Sequence, residues 1–263
     1  MTFFLADAKS LKPRGTQRYT GEHRDAWRTG SRKMKKLFPI LGVITAALLC
    51  YALYQGLVVA PTERTMGDVQ RIFYYHVPSA WTAFILFFIN FGASVLYLIK
   101  RNPTADIVAL VCAEVGVVFC TVVLITGPIW ARPVWGIWWT WDMRLTSTLV
   151  LWLIYVSYLF LRRFSSSGQT PALAAALAVL GALCVPFVYF SIWFFRTQHP
   201  QPVMGGGGSI DPRMLHALLI NWLAFSCFAF LVCWSRYRLE KLQREVEQAH
   251  AMESLRAPEG EVR

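Results

Sequence analysis

Six apolar stretches, each close to the length of a membrane span, alternate with polar segments along the chain. They cover approximately residues 37–59, 80–99, 105–129, 145–161, 172–195 and 214–234. A helix needs about 20 predominantly apolar residues to cross the hydrocarbon core of a bilayer. The pattern therefore predicts an all-α, polytopic membrane protein with six transmembrane helices. Because an even number of spans returns the chain to its starting side, both termini are predicted to lie on one side.

The polar residues before the first span form a basic tail. Residues 1–36 contain ten lysines and arginines and little apolar periodicity, which predicts a disordered segment. Met34 stands directly before two lysines and the first apolar run, a pattern typical of the start of a membrane protein, so we expect residues 1–33 to be an upstream extension. The first span is longer than the apolar part of a signal peptide, and we expect it to remain as an anchor.

The polar residues after the sixth span, 236–263, form a second charged tail. Apolar residues recur within it at helical spacing, at Leu239, Leu242, Val246 and Ala249. Two heptads give only a marginal coiled coil. The pattern therefore favours a solvated extension of the sixth helix over a short coiled partner helix.

Basic residues are distributed unevenly between the two sides of the predicted membrane domain, residues 37–235. The segments on the side of the termini carry 20 lysines and arginines, and the segments on the other side carry six. Membrane proteins retain positive charge on the cytoplasmic side. The bias predicts that both termini are cytoplasmic, so the net charge of +11 reflects topology. We expect the lipid bilayer, and no nucleic acid, among the partners.

The cysteines exclude several kinds of site. All six lie inside apolar stretches, and the chain contains neither a CxxC nor a CxxCH motif. This pattern argues against a disulfide framework, a thiolate metal site and covalent haem attachment. We expect the thiols to behave as small buried hydrophobic groups.

Residues 127–147, GPIWARPVWGIWWTWDMRLTS, are the most unusual part of the chain, and we call them the tryptophan segment. Pro128, Pro133 and Gly136 disfavour a regular helix, so we predict an irregular loop. Indole rings offer a large apolar face and one N–H donor, which suits a flat apolar ligand with polar edges, such as a porphyrin. The alternative is a set of interfacial anchors. The tryptophans are Trp130, Trp135, Trp138, Trp139 and Trp141.

Two histidines accompany the tryptophan segment on the same predicted side of the membrane. His76 follows the first span and His199 follows the fifth, so both belong to the loops opposite the termini. Two imidazoles can bind a haem iron axially, each through one ring nitrogen while a hydrogen bond holds the other. His216, near the same end of the sixth span, is a competing ligand.

Arginines near these histidines offer contacts to the propionates of a haem. A guanidinium pairs with a carboxylate through two parallel hydrogen bonds. Arg71 precedes His76 by five residues and Arg144 directly follows the last tryptophans, so both are candidates. Weaker candidates are Arg132 and Arg196.

Two acidic residues have alternative roles. Asp142 is predicted either to cap the helix of the fourth span or to contact the ligand. Glu114 lies within the third span, where an unpaired charge is costly. We therefore expect it to face the bundle, either protonated or paired.

Four stretches, taken in order, carry a family likeness: RIFYYHVPSAW (71–81), TGPIWARPVWGIWWTWDMRLTS (126–147), WFFRTQHP (193–200) and SIDP (209–212). They resemble the haem exporter protein C family of bacterial cytochrome c maturation, over about residues 38–235. Two sister families, the haem lyase type and the system II synthetase type, share the tryptophan-rich signature but continue with a proline and an acidic residue. Here the chain reads Trp-Asp-Met-Arg-Leu-Thr-Ser, which favours protein C. The basic tail and the glycines at 205–208 depart from the family.

The resemblance implies a haem-handling protein that is not an enzyme. It implies that haem b is held non-covalently at the periplasmic face of the bacterial cytoplasmic (inner) membrane and then passed to a periplasmic haem chaperone. His76 and His199 are the implied axial ligands, and the five tryptophans with Asp142 form the platform. Other implied partners are an ATP-binding subunit and a membrane subunit of an ABC-type exporter, and a small one-span subunit. The chain contains no GxxxxGK[ST] phosphate loop, so a partner must hydrolyse ATP.

Two alternatives stay open from the sequence. A b-type membrane cytochrome for electron transfer needs paired histidines within its spans, and no span centre contains a histidine. A transporter of haem or another solute tends to have broken helices and internal symmetry. Apart from Pro186 and Glu114, the sequence offers neither feature.

Overall fold

The computed structural model describes residues 21–165, 169–195, 197–200 and 210–256. These residues form six α-helices joined by short segments, and the described part of the chain contains no β-strand. A π-helical turn at Gln55–Val59 and a 3-10 turn at Asp68–Ile72 separate the first two helices. The helices are α1 (Gly21–Tyr54), α2 (Phe73–Lys100), α3 (Pro103–Trp135), α4 (Met143–Phe164), α5 (Thr170–Phe194) and α6 (Pro212–Arg256).

Each of the six helices contains a stretch long and apolar enough to cross a membrane. The predicted all-α fold with six spans is therefore confirmed. The first of these stretches, Leu37–Val59, has the bounds that the apolar pattern predicted. The side of the membrane on which the termini lie stays a prediction from the charge bias.

Helix α1 begins at Gly21, within the segment 1–36 that was predicted to be a disordered tail. Residues 1–20 lie outside the described residues. Extending an existing helix costs far less free energy than nucleating one. The apolar span supplies the nucleus, and the preceding residues include few helix breakers.

His76 lies on a helix and not in a loop, which corrects the prediction from sequence. The polar segment before the second span was expected to continue to about residue 77, but α2 begins at Phe73. Pro78 lies within the first turns of this helix, where its missing N–H removes a single hydrogen bond. His76 is therefore fixed to the backbone of a helix that continues through the core.

The tryptophan segment is also more helical than predicted. Helix α3 continues through Pro128 and Pro133 to Trp135, and Gly136, with φ of +78°, ends it by donating its N–H to the Arg132 carbonyl. Prolines are tolerated in transmembrane helices because neighbouring groups satisfy the freed carbonyls. Only the residues between α3 and α4, 136–142, form an irregular connection.

The chain divides into two compact units between Ile44 and Thr45, and the second unit holds the core. In that unit α2 packs against α3, α5 and α6, and α3 also packs against α4 and α6. The rings of Phe87 and Tyr155 stack with their centroids 3.8 Å apart. Gly116 allows this packing, since a Cβ placed there would lie 2.6 Å from the Phe87 ring. The core thus joins α2, α3 and α4 tightly.

Ion pairs hold the beginning of α3 against the charged end of α6. Glu114 accepts two hydrogen bonds of 2.8 Å from Arg236, so the expectation that it is paired is confirmed. Buried Asp106 pairs with Arg162 of α4 and with Arg244 of α6. Helix α6 is continuous to Arg256, and its apolar residues Leu239, Leu242 and Val246 are exposed.

Candidate functional site

Four helices bring polar and aromatic side chains together at the end of the bundle opposite these ion pairs. His76 lies in the first turn of α2, Thr126 and Trp130 lie in the last third of α3, and Arg144 lies in the first turn of α4. His199 follows the end of α5. Hydrogen bonds, ring contacts and the charge of Arg144 join these residues in one cluster.

The imidazole rings of His76 and His199 form a close pair. Their centroids lie 6.5 Å apart, and their planes are inclined by 34°. A bond from an imidazole nitrogen to a first-row transition metal is about 2.0–2.1 Å, and the ring centre lies about 1.1 Å further on. Two imidazoles on opposite sides of one metal therefore have centroids about 6.3 Å apart. The observed separation fits two axial ligands of one iron.

The hydrogen bonds of His76 determine which ring nitrogen is free. Its Nδ1 lies 2.8 Å from the Thr126 hydroxyl, which itself donates to the Val122 carbonyl at 2.7 Å. A hydroxyl has one hydrogen to donate, so with that hydrogen on the Val122 carbonyl it accepts from His76, and Nδ1 carries the proton. Nε2 then holds the lone pair. The side chain is 8% exposed, and its Nε2 has no hydrogen-bond partner among the described residues.

His199 has the same tautomer for a different reason. Its Nδ1 lies 2.9 Å from the Pro200 carbonyl, which can only accept, so Nδ1 is the donor and Nε2 carries the lone pair. Its backbone N–H donates to the Thr197 hydroxyl at 3.1 Å. Burial and the positive charge of Arg144 lower the pKa of His199 to about 4, although the Pro200 carbonyl and Asp142 act in the opposite direction. The half-buried ring is therefore neutral near pH 7.

The five tryptophans fall into different environments. The Trp130 ring meets His76 edge to face, with centroids 5.9 Å apart. Trp139 packs against Trp141 at 5.7 Å. The indole N–H groups of Trp130 and Trp139 are buried without a partner among the described residues. Trp138 and Trp141 are 59% and 77% exposed, and Trp135 is half-buried. Trp130 is the tryptophan with a described ring contact to a histidine of the pair.

The arginines differ in how many hydrogen-bond donors they leave available. Arg144 makes one long hydrogen bond, 3.4 Å to the Tyr189 carbonyl, and within the described residues its other donors are unpaired. Arg71 instead donates to the carbonyls of Gly56 and Ala60, to Thr62 and to Asp68, in bonds of 3.0–3.3 Å. Exposed Arg132 donates to the Gly136 carbonyl, and Arg196 lies outside the described residues, as do the glycines at 205–208.

Two further sequence candidates have defined positions. Asp142 is the N-cap of α4, since its carboxylate accepts from the Leu145 N–H at 3.0 Å, which confirms the capping prediction. His216 lies exposed on α6, and no ring contact joins it to a described residue. Of the histidines whose side chains the structure describes, His76 and His199 are the ones whose rings are paired.

Thr126 was missed by the sequence reasoning, although it is the first residue of the TGPIW run. Threonine is common in apolar helices, where its hydroxyl usually bonds its own backbone. Nothing in the local pattern distinguishes this threonine from Thr121. Only the packing of α3 against α2 brings its hydroxyl to His76.

Comparison with known proteins identifies the family of this chain. A family model described as CcmC, Heme exporter protein C, matches residues 27–252. A Heme exporter protein C of Bradyrhizobium diazoefficiens is 36% identical over 224 residues, covering 84% of this chain and 85% of that protein. The Heme exporter protein C of Escherichia coli is 31% identical over 206 residues, covering 78% of this chain and 82% of its own length.

A mitochondrial relative extends the likeness beyond bacteria. A putative cytochrome c biosynthesis ccmC-like mitochondrial protein of Marchantia polymorpha is 34% identical over 185 residues, covering 70% of this chain and 78% of that protein. The family model spans most of the chain and includes, in whole or in part, all six helices that are long and apolar enough to cross a membrane. This protein therefore belongs to the Heme exporter protein C family.

Proposed function

We propose that this protein binds haem b without a covalent bond, at the periplasmic face of the bacterial cytoplasmic membrane, and delivers it to a periplasmic haem chaperone for cytochrome c biogenesis. Haem is then a cargo and not a resident cofactor. The observation that carries the proposal is the pair of imidazoles 6.5 Å apart, both with Nδ1 as donor and Nε2 free. The names of the relatives support haem handling and cytochrome c biosynthesis.

The donors around the pair suit the propionates of the cargo. Buried polar groups in proteins are nearly always hydrogen-bonded, so unpaired donors suggest a missing acceptor. The indole N–H groups of Trp130 and Trp139 are such donors, and half-buried Arg144 also has donors that no described residue accepts. Arg144 is the preferred propionate ligand, because Arg71 already satisfies carbonyls of the turn after α1. The apolar indole faces suit the macrocycle.

The proposed side of the membrane follows from the charge bias. The pair lies at the end of α2 and α3 that is opposite Lys100 and Asp106. The end with Lys100 and Asp106 belongs to the side that carries most of the positive charge of the chain. With that charge in the cytoplasm, the haem site faces the periplasm. A chaperone, an ATP-binding subunit, a second membrane subunit and a small one-span subunit complete the proposed assembly, and this chain carries out no chemical step.

Electron transfer is a weaker function for this site. Passing electrons across a membrane requires at least a second haem, and thus a second histidine pair. The remaining histidines with described side chains, His216 and His250, are both exposed and lie on α6 at positions far apart in the helix.

The direct test is the absorption spectrum of the detergent-purified protein during titration with haem. We expect the spectrum of a two-imidazole complex in the wild type and a disturbed spectrum in both His76→Ala and His199→Ala. His216→Ala is the matched control, since it removes an exposed histidine from the same end of the bundle. A wild type that gives no two-imidazole spectrum rejects the proposal.

Handover needs a separate assay with a purified chaperone. We expect the haem-loaded wild type to transfer its haem, and Trp139→Ala to transfer less while still binding haem. Normal loading of the chaperone by this variant would indicate that the indoles serve as membrane anchors.

A further inference from the structure

We propose that Thr126 is a positioning residue of the haem site, because its hydroxyl fixes the tautomer and ring orientation of His76. The inference rests on the proposed function and adds to it a residue that does not touch the cargo. Its basis is a chain of two hydrogen bonds that joins the His76 ring to the backbone of α3 through one oxygen atom.

The direction of this chain follows from the donors and acceptors. The Val122 carbonyl can only accept, so the Thr126 hydroxyl donates to it at 2.7 Å. The hydroxyl oxygen keeps lone pairs and accepts from His76 Nδ1–H at 2.8 Å. In the opposite tautomer the hydroxyl would have to turn its hydrogen to Nδ1 and give up its bond to the Val122 carbonyl. Thr126 therefore selects the form whose Nε2 can bind a metal.

The surroundings make the constraint rigid. His76 is buried in α2, and the edge of the Trp130 ring packs against it. A Cβ placed on Gly127, the neighbour of Thr126, would lie 3.5 Å from the Cε1 atom of His76, so α3 passes close beside the imidazole. The ring is thus held between two packed helices, and the threonine supplies the polar contact to it.

The hydrogen bond from His76 to Thr126 also affects how basic the imidazole of His76 is. A histidine that donates from its second nitrogen becomes a more basic ligand, and removing such a partner typically weakens metal binding about 10- to 100-fold. A more basic ligand stabilises ferric over ferrous iron. Loss of the Thr126 hydroxyl should therefore weaken haem binding and shift the midpoint potential to more positive values.

The test compares Thr126→Val, which keeps the shape and removes the hydroxyl, with Thr126→Ser, which keeps the hydroxyl. Thr121→Val is the matched control. Thr121 lies on the same helix, donates to the Val117 carbonyl at 2.7 Å and accepts from the Trp152 indole at 2.8 Å. Like Thr126, it donates to the carbonyl four residues earlier and accepts from a ring N–H, but it has no described contact with His76. Each full-length variant is titrated with haem in detergent, and its redox midpoint is measured.

We expect haem binding about 10- to 100-fold weaker in Thr126→Val, with a more positive midpoint potential. Thr126→Ser and Thr121→Val should stay close to the wild type in both quantities. If Thr126→Val matches Thr121→Val, or if Thr126→Ser is as impaired as Thr126→Val, the positioning role is rejected while the haem site stands. If the wild type binds no haem, the proposed function itself fails.

Discussion

His76 and His199 both keep Nε2 free of hydrogen bonds to described residues, but the two rings are held in different ways. His76 is buried on α2, and a side chain of another helix binds its Nδ1. His199 is half-buried beyond the end of α5, and its described hydrogen bonds go to Thr197 and Pro200, within two residues along the chain. One imidazole is therefore fixed by tertiary structure and the other by its own loop. This difference suits a haem that is later released, because one ligand is held less firmly than the other.

This asymmetry predicts different outcomes for the two histidine variants. We expect His199→Ala to retain haem on His76 and to regain a two-imidazole spectrum when imidazole is added, because half-buried His199 leaves a more accessible position than buried His76. We expect His76→Ala to retain less haem and to recover less. Soret spectra recorded during an imidazole titration measure both effects. Equal loss and equal recovery in the two variants would contradict the prediction.

Arg144→Gln should weaken the binding of haem b through the propionates. A hydrogen bond to a charged group contributes about 1.5–3 kcal/mol, which corresponds to roughly a 10- to 150-fold change in affinity. Haem dimethyl ester, whose carboxylates are blocked, should bind the variant and the wild type alike. The control is Arg213→Gln, which removes an exposed arginine at the same end of the bundle. If haem b and its dimethyl ester are both bound more weakly by Arg144→Gln, and to the same degree, Arg144 does not bind a propionate.

Arg71→Gln should reduce stability more than haem affinity. Its guanidinium satisfies the carbonyl of Gly56, inside the π-helical turn, and that of Ala60, which directly follows the turn. Leaving such acceptors unsatisfied costs about 1–3 kcal/mol. We expect a lower midpoint in thermal unfolding of the haem-free protein. An unchanged midpoint together with weaker haem binding would restore Arg71 as a propionate ligand.

Gly116→Ala should destabilise the bundle core. The new methyl group would lie 2.6 Å from Cε1 of Phe87, whose ring is stacked on Tyr155 and has little room to move. Overpacking of this kind costs about 1–3 kcal/mol. Gly92→Ala on α2 is the matched control, because a Cβ there meets nothing within 4 Å. We expect the midpoint of thermal unfolding to be lower in Gly116→Ala than in the wild type, and in Gly92→Ala to equal or exceed that of the wild type. The reverse order would contradict the packing.

The lowered pKa of His199, about 4, predicts a neutral ring in the haem-free protein at pH 6. An ordinary histidine, with a pKa of about 6.5, is mostly protonated at that pH. Because the folded state resists protonation, this group favours folding above about pH 6.5, and its contribution is lost as the pH falls from about 6.5 towards 4. Nitrogen-15 NMR of labelled histidine, assigned with His199→Ala, measures the titration. A midpoint near 6.5 would show that the ring is solvated.

The sequence was sufficient for the membrane architecture and for the residue types of the site. The apolar runs gave six spans, and Leu37–Val59 has the predicted bounds. Asp142 was recognised as a possible cap from its place before an apolar run. The predictions failed where tertiary context changed a local preference. Pro128 and Pro133 were expected to interrupt a helix, yet both lie inside α3, and α2 begins at Phe73 although the second span was predicted from about residue 80.

Apolar periodicity and charge bias are properties of the chain itself, because burial in lipid depends on the composition of each segment. They determined the six helices, and the unusual residues of the tryptophan segment pointed to a flat ligand. Pairing of side chains from different helices depends on how those helices pack, and no local pattern encodes it. Only the tertiary structure brought His199 within 6.5 Å of His76, committed Arg71 to the turn after α1 and placed the Thr126 hydroxyl on the imidazole.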